Sequence, residues 1–303
     1  MPIKELQLDF VRKIKDPKFQ VKRNLLSRTL EGELQTMFKG RGMEFTGFRD
    51  YVYGDDASQI DWPASLRAKS TLIREFEEYR NFEIFIMLDV SNSMLFSSTN
   101  KLKCEYAADI AFSLVDSLVN VGDKIGLALF TDKLVTRRIP RAGRENYYSM
   151  VQDLTNPNNY GGNFDLGKAL MQARALLGGK SLVIIISDFM GLQKSWSHQL
   201  KMMSPNFEIL GIMVRDPRDK TIPTGAGQYV VEDPYSNEKL YIDATKYAKT
   251  YSEAAKKNEL EIEHTFLQMR SGILNLSTDK EFIDDLIVFF KKRAIIAAKA
   301  KTG

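Results

Sequence analysis

Short runs of uninterrupted apolar residues alternate along this chain with stretches in which apolar positions recur every three or four residues. Residues 84–88, 125–130 and 182–186 are too short for typical helices and rich in β-branched and aromatic members, which predicts buried strands. Between the first two runs, Ala107, Ile110, Ala111, Leu114, Val115 and Leu118 form a helix stripe ended near Gly122. Leu166, Ala169, Leu170, Ala173, Leu176 and Leu177 form a second stripe, with Asp165 placed as its N-cap. Strands apolar on every side and separated by helices imply a mainly parallel sheet covered on both faces, so the predicted class is α/β and Rossmann-like.

The weaker patterns fill in around this frame. Residues 1–30 suit one or two amphipathic helices that pack as an arm. Residues 38–67 are dense in Gly, Asp, Arg and aromatics without a sustained period, which predicts a structured loop or short hairpins. There Arg49 and Arg67 are expected to pair with Asp55, Asp56 and Asp61 and tie the segment to the main domain. Residues 70–77 read as a strand, 134–139 as an edge strand, 145–154 as a helix and 156–163 as a loop. Further on, a helix is predicted over 196–203, a strand over 208–214, a hairpin from 229–232 and 239–242, a helix over 244–257 and a strand over 261–266. Ile283, Leu286, Ile287 and Phe290 give a last helix, whose basic end, with Lys299 and Lys301, reads as a solvated helix terminus.

Composition narrows the function classes. With 303 residues, 44% hydrophobic and 27% charged, the chain can bury a real core, and 43 basic against 39 acidic residues give only +4, no argument for nucleic acid. One cysteine, Cys104, excludes an internal disulfide, and two histidines cannot assemble the common zinc sets. Cys104 reads as a small residue near a helix start, and His198 and His264 as surface or hydrogen-bonded side chains. No stretch approaches the roughly 18 consecutive apolar residues of a membrane span, and the first residues lack the apolar core of a signal peptide. The expected address is the cytoplasm.

The candidate chemistry sits where the predicted strands stop. Asp89, Ser91 and Ser93 alternate just beyond residues 84–88, so a turn there can aim one carboxylate and two hydroxyls at one point, a hard oxygen-rich site of the kind Mg²⁺ prefers. The most hydrophobic strand also ends on an aspartate, Asp188, and the Gly161-Gly162-Asn163 loop opens a helix at the same sheet edge. Gly178-Gly179-Lys180-Ser181 is rejected as a phosphate loop because it runs from helix to strand. An aspartyl-phosphate mechanism lacks a second carboxylate at the position Ser91 fills.

Asp89-x-Ser91-x-Ser93, the later loop and Asp188 resemble the metal-ion-dependent adhesion site (MIDAS) of von Willebrand factor A domains. Gly40-Arg41-Gly42, Arg49-x-Tyr51, Gly54-Asp55-Asp56, Ile60-Asp61-Trp62, Asp216-Pro217 and Asp233-Pro234 are similar to the DUF58 family, whose members carry such a domain. The resemblance implies metal ligation by Asp89, Ser91, Ser93 and Asp188. Its second loop departs from the usual Thr: here either the Asn163 amide oxygen or the Asp165 carboxylate takes that place, and Asn163 is the choice. The metal implied is Mg²⁺, with Mn²⁺ or Ca²⁺ as alternatives. Residues 1–80 would be an N-terminal segment packing on a von Willebrand A-like domain over 81–303, with 215–243 a candidate part of the smaller unit. The implied function is a metal-dependent protein–protein interaction module, not an enzyme, serving a MoxR-type AAA+ ATPase or its client. The alternatives are a metal-dependent phosphoester hydrolase and a scaffold with a degenerate metal site.

Overall fold

The structure is a computed structural model that describes residues 6–299 except residues 9, 39–42, 79–82, 120–121, 180, 224–226 and 237. Helices α1 (Phe10–Lys15) and α2 (Pro17–Phe38) lead into an antiparallel pair, β1 (Met43–Asp50) and β2 (Leu72–Glu78), with helix α3 (Trp62–Ala68) between them in the chain. Strands and helices then alternate: β3 (Glu83–Asp89), α4 (Lys103–Val119), β4 (Lys124–Phe130), β5 (Arg138–Arg141), α5 (Arg144–Thr155), α6 (Leu166–Leu176), β6 (Ser181–Ser187), α7 (Trp196–Met203) and β7 (Phe207–Arg215). The short helix α8 (Pro217–Lys220), the hairpin of β8 (Gln228–Glu232) and β9 (Lys239–Asp243), α9 (Ala244–Gln268), β10 (Gly272–Ser277) and α10 (Ile283–Lys299) follow.

One six-stranded sheet, in the order β10-β7-β6-β3-β4-β5, organises the domain; every neighbouring pair is parallel except β4 with β5. The α/β class predicted from the apolar runs is the one observed. Successive side chains of a strand point to opposite faces, and the two faces are covered separately. Ile84, Ile86 and Leu88 of β3 join α2, α4 and α10 on one side, where Leu26, Ala111, Leu114 and Phe290 are buried. Phe85 and Met87 join α6, α7 and α9 on the other, with Leu170, Leu200 and Phe266.

The N-terminal arm is part of the first core layer. Phe10 stacks on Phe112 with ring centroids 4.1 Å apart, and Leu26 and Leu30 are fully buried. Each buried leucine contributes roughly 1.5–3 kcal/mol. The Ser27 hydroxyl donates to the Ser117 carbonyl at 2.9 Å, and Lys22 reaches Glu281 and Asp284 at 3.1 and 2.8 Å, so α2 bridges α4 and α10.

Four readings of the sequence are corrected. Residues 261–266 are the last turns of the 25-residue α9, not a strand, because Ile262 and Phe266 are four apart and the same face meets the sheet. The sixth strand is instead β10, whose alternation is too weak to announce itself. The edge strand lies at Arg138–Arg141, with only an isolated bridge from Leu134 to Phe130. Residues 62–68 are a helix, started by the Asp61 carboxylate accepting from Ala64 N at 2.9 Å and by Pro63 in its first turn. The expected ion pairs form in part: Arg49 grips Asp55 at 2.7 Å, but Asp61 is gripped by Arg74 of β2 at 2.8 Å, while the Arg67 Nε donates to the Pro63 carbonyl. Gly40-Arg41-Gly42 lies outside the described residues. Among the described residues no helix is long and apolar enough to cross a membrane.

Candidate functional site

The strand order reverses around β3: the chain leaves it for β4 on one side and returns as β6 on the other. Loops at the carboxyl ends of two such strands diverge and leave a crevice. Asp89 ends β3, and Ser187 ends β6 with Asp188 next, so both aspartates stand at this crevice. Asp89, Ser91 and Asp188 are 0% exposed and Ser93 5%.

Hydrogen bonds hold the loops in register. Asp89 Oδ1 accepts from Ser91 N at 2.9 Å, and its Oδ2 accepts from the Ser187 hydroxyl at 2.6 Å. Ser91 and Ser93 place their hydroxyls 3.4 Å apart. The second loop is stitched to the first by Asn92, whose N–H donates to the Gly162 carbonyl at 2.9 Å and whose Oδ1 accepts from Gly162 N at 2.8 Å. Gly161 and Gly162 have φ of 107° and 128° there, a conformation that residues with a Cβ adopt only under strain. In the third loop, Asp188 Oδ1 accepts from Met190 N at 2.9 Å, and Phe189, fully buried, is held at φ 52°. A bulky residue in that region stores about 1–3 kcal/mol of strain, a cost tolerated where the surrounding packing over-determines the backbone.

Charge is balanced in a way the sequence did not announce. Lys103, the first residue of α4 and only 2% exposed, donates to Asp188 Oδ2 at 2.7 Å and to Asp219 Oδ2 at 2.9 Å. Asp219 also accepts from Asp216 N at 2.9 Å in the capping box of α8. Burial works to raise Asp188, but the Lys103 charge and hydrogen bond, with the Met190 N–H and the Arg215 charge, hold it below the usual carboxylate range. Burial and then the Asp188 charge push Asp89 well above that range. Burial would lower Lys103, and its two carboxylate partners more than offset this. Cys104 beside it is inert, its thiol pushed up to about 12 by burial.

The predicted residues therefore divide. Asp89, Ser91, Ser93 and Asp188 converge. Asn163 lies exposed on the second loop, and Asp165 is occupied as the α6 N-cap, accepting from Lys168 N at 3.0 Å. Ser187, Asn92, Lys103 and Asp219 were missed. Of these, only Ser187 had a visible signal, as a hydroxyl immediately before a strand-terminal aspartate. Tyr235, from the β8–β9 turn, was also missed; its hydroxyl lies 3.3 Å from that of Ser91.

As a test of fit for a divalent cation, the donors are hard oxygens: Asp188 and Asp219 share the Lys103 ammonium, and Asp89, fully buried, is held by Ser91 N and Ser187 Oγ. That chemistry suits Mg²⁺ better than a soft metal. Among the described residues no three His, Cys, Asp or Glu side chains form a metal cluster, so hydroxyls would have to complete the set.

Fold and site define an α/β protein with a closed cluster of oxygen donors at the carboxyl end of its sheet. The chain belongs to the family described as protein of unknown function DUF58, which matches residues 47–261. It is 26% identical over 272 residues to an uncharacterized protein of Mycobacterium tuberculosis, covering 88% of this chain and 85% of that one. An uncharacterized protein of Mycobacterium avium is 29% identical over 163 residues, 52% of this chain and 95% of that one. Among solved structures, the conserved hypothetical protein BatB of Bacteroides thetaiotaomicron aligns with a TM-score of 0.48 and 17% identity, over 72% of this chain and all of that one. A von Willebrand factor type A protein from Catenulispora acidiphila aligns with a TM-score of 0.38 and 14% identity, over 75% of this chain and 45% of that one.

Proposed function

We propose that this protein is a cytoplasmic protein-interaction module whose site takes a divalent cation, Mg²⁺ first and Mn²⁺ or Ca²⁺ as alternatives. Asp89, Ser91, Ser93 and Asp188 would hold it, with Asn163 reaching in from the second loop. A bound cation supplies an open coordination position for an acidic side chain of a partner. The observation that carries the reading is the pairing of two fully buried strand-end carboxylates with two buried hydroxyls, where Lys103 compensates only Asp188. This chain's residues would orient the hydroxyls, exclude water and keep Asp188 ionised.

The family resemblance supports a partner class, a MoxR-type AAA+ ATPase or its client, with this chain as adaptor. Binding is preferred to phosphoester hydrolysis because Ser91 fills the position where an aspartyl-phosphate mechanism needs a second carboxylate beside Asp89. One observation favours a scaffold instead: Lys103 already occupies Asp188. Calorimetry with Mg²⁺ on wild type and Asp89→Ala, and capture of the ATPase with and without EDTA, separate the two. Heat that the variant abolishes, with EDTA-sensitive capture, supports the module. No heat, with capture and stability unmoved by EDTA, overturns it in favour of the scaffold.

A further inference from the structure

The insertion between β7 and α9 sends the tip of the β8–β9 hairpin back onto the site. The Tyr235 hydroxyl meets Ser91, and the Asn92 side-chain amide donates to the Pro234 carbonyl at 3.1 Å. The tyrosine ring lies against the third loop at Gly191, where an added Cβ would stand 3.2 Å from Tyr235 Cε2. One turn thus touches the first and third loops directly, and the second through Asn92, which holds Gly162.

The turn is preformed. Asp233 Oδ1 accepts from Tyr235 N and from Ser236 N, both at 2.8 Å, and Asp233 N donates to the Glu238 carbonyl at 2.9 Å. The strands behind it are loosely attached: Val230, Val231, Leu240 and Tyr241 are 53%, 43%, 66% and 74% exposed. An isolated two-stranded hairpin is marginal in water, so this one depends on its foot and on its seated tip. A rigid tip on weakly held strands is the anatomy of a cover that can be lifted as a unit.

We propose that Tyr235 is the site's internal occupant: the 233–236 turn closes Ser91 and Ser93 against outside ligands, and a ligand gains them only by displacing it. The identity of that ligand rests on the reading of the previous subsection; the closure does not. Apparent affinity falls by the fraction of molecules that are open, so a turn open in about one molecule in ten weakens binding about tenfold.

The test compares full-length wild type, Tyr235→Phe and Tyr235→Ala. Hydrogen–deuterium exchange in EDTA reads peptides spanning 89–94 and 160–163, and calorimetry reads Mg²⁺ alone. Tyr235→Ala is expected to speed exchange at the Asn92 and Gly162 amides at least fivefold and to tighten Mg²⁺ at least tenfold, with Tyr235→Phe between. If Tyr235→Ala fails to fold, Tyr235→Phe decides by the same two readouts. Unchanged exchange, or equal Mg²⁺ affinity in wild type and variant, overturns the closure and leaves the metal reading standing. Faster exchange with no Mg²⁺ heat in any of the three proteins supports the closure and overturns the metal reading.

Discussion

Replacing Lys103 with methionine removes the ammonium from between Asp188 and Asp219 while keeping much of the side-chain volume. Asp188 is fully buried and cannot rehydrate, whereas Asp219, at 9% exposure, reaches the edge of solvent and keeps the hydrogen bond from Asp216 N. The cost is therefore set by Asp188. Orphaning one member of a buried pair costs about 3–5 kcal/mol. An independent ceiling comes from letting Asp188 take a proton, which from an ordinary carboxyl costs about 5 kcal/mol at pH 7.5. For a chain of 303 residues this lowers Tm by roughly 5–8 °C. The sign with pH follows from the same step. The variant's Asp188 has a raised folded pKa, so its deficit is largest at neutral pH and shrinks as pH falls toward the ordinary carboxyl value, by about 3 kcal/mol at pH 5. Urea denaturation in EDTA at pH 7.5 and pH 5, on Lys103→Met, Asp188→Asn and the double variant, measures this. The double variant should recover at least half of the Lys103→Met loss. A Lys103→Met deficit under about 1 kcal/mol at pH 7.5, or strict additivity with Asp188→Asn, would refute the buried pair as the site's charge balance.

Two further outcomes test the frame around the site. An added Cβ at Gly126 on β4 would lie 2.5 Å from the Arg138 carbonyl oxygen and 2.8 Å from a Phe85 ring carbon. Backbone cannot yield there, so Gly126→Ala should cost about 1–3 kcal/mol by urea denaturation, and a neutral result would mean β5 is free to move away from β4. Arg49, followed by the Val52 N–H, holds the Asp55 carboxyl down at about 2 from an ordinary 3.8. A depressed folded pKa gives stability that is complete above the ordinary value and lost as pH falls through about 2. The stability difference between wild type and Asp55→Asn should accordingly be constant above about pH 5, shrink between about pH 4 and 2 and be lost below about 2; a difference undiminished at pH 2 contradicts the assignment.

What could be read from the sequence divides along one physical line. Residues 84–88 and 182–186 declared themselves because a strand buried on both faces must be apolar at every position, and the α4 and α6 stripes because a helix with one buried face repeats at its own period. Asp89 and Asp188 were placed by the same logic, since a charge that interrupts such a run sits where the strand ends. The α9 error came from a half-exposed helix: Ile262 and Phe266 are buried among polar neighbours, and a short window over them fits a strand as well as a helix.

Lys103 and Tyr235 mark the limit. A lysine opening a helix ordinarily reads as solvated, and a tyrosine in an Asp-Pro-Tyr-Ser turn reads as an exposed loop residue. Each becomes part of the site only because the fold carries a distant segment to it: Lys103 across 85 residues to Asp188, and Tyr235 across 144 residues to Ser91. Oxygen donors at strand ends are a local pattern and can be found by spacing. The groups that set the charge of those donors and cover them are tertiary. They set the charge and the exposure of those oxygens, which is why Asp89-x-Ser91-x-Ser93 alone locates the oxygen cluster without specifying its charge or its cover.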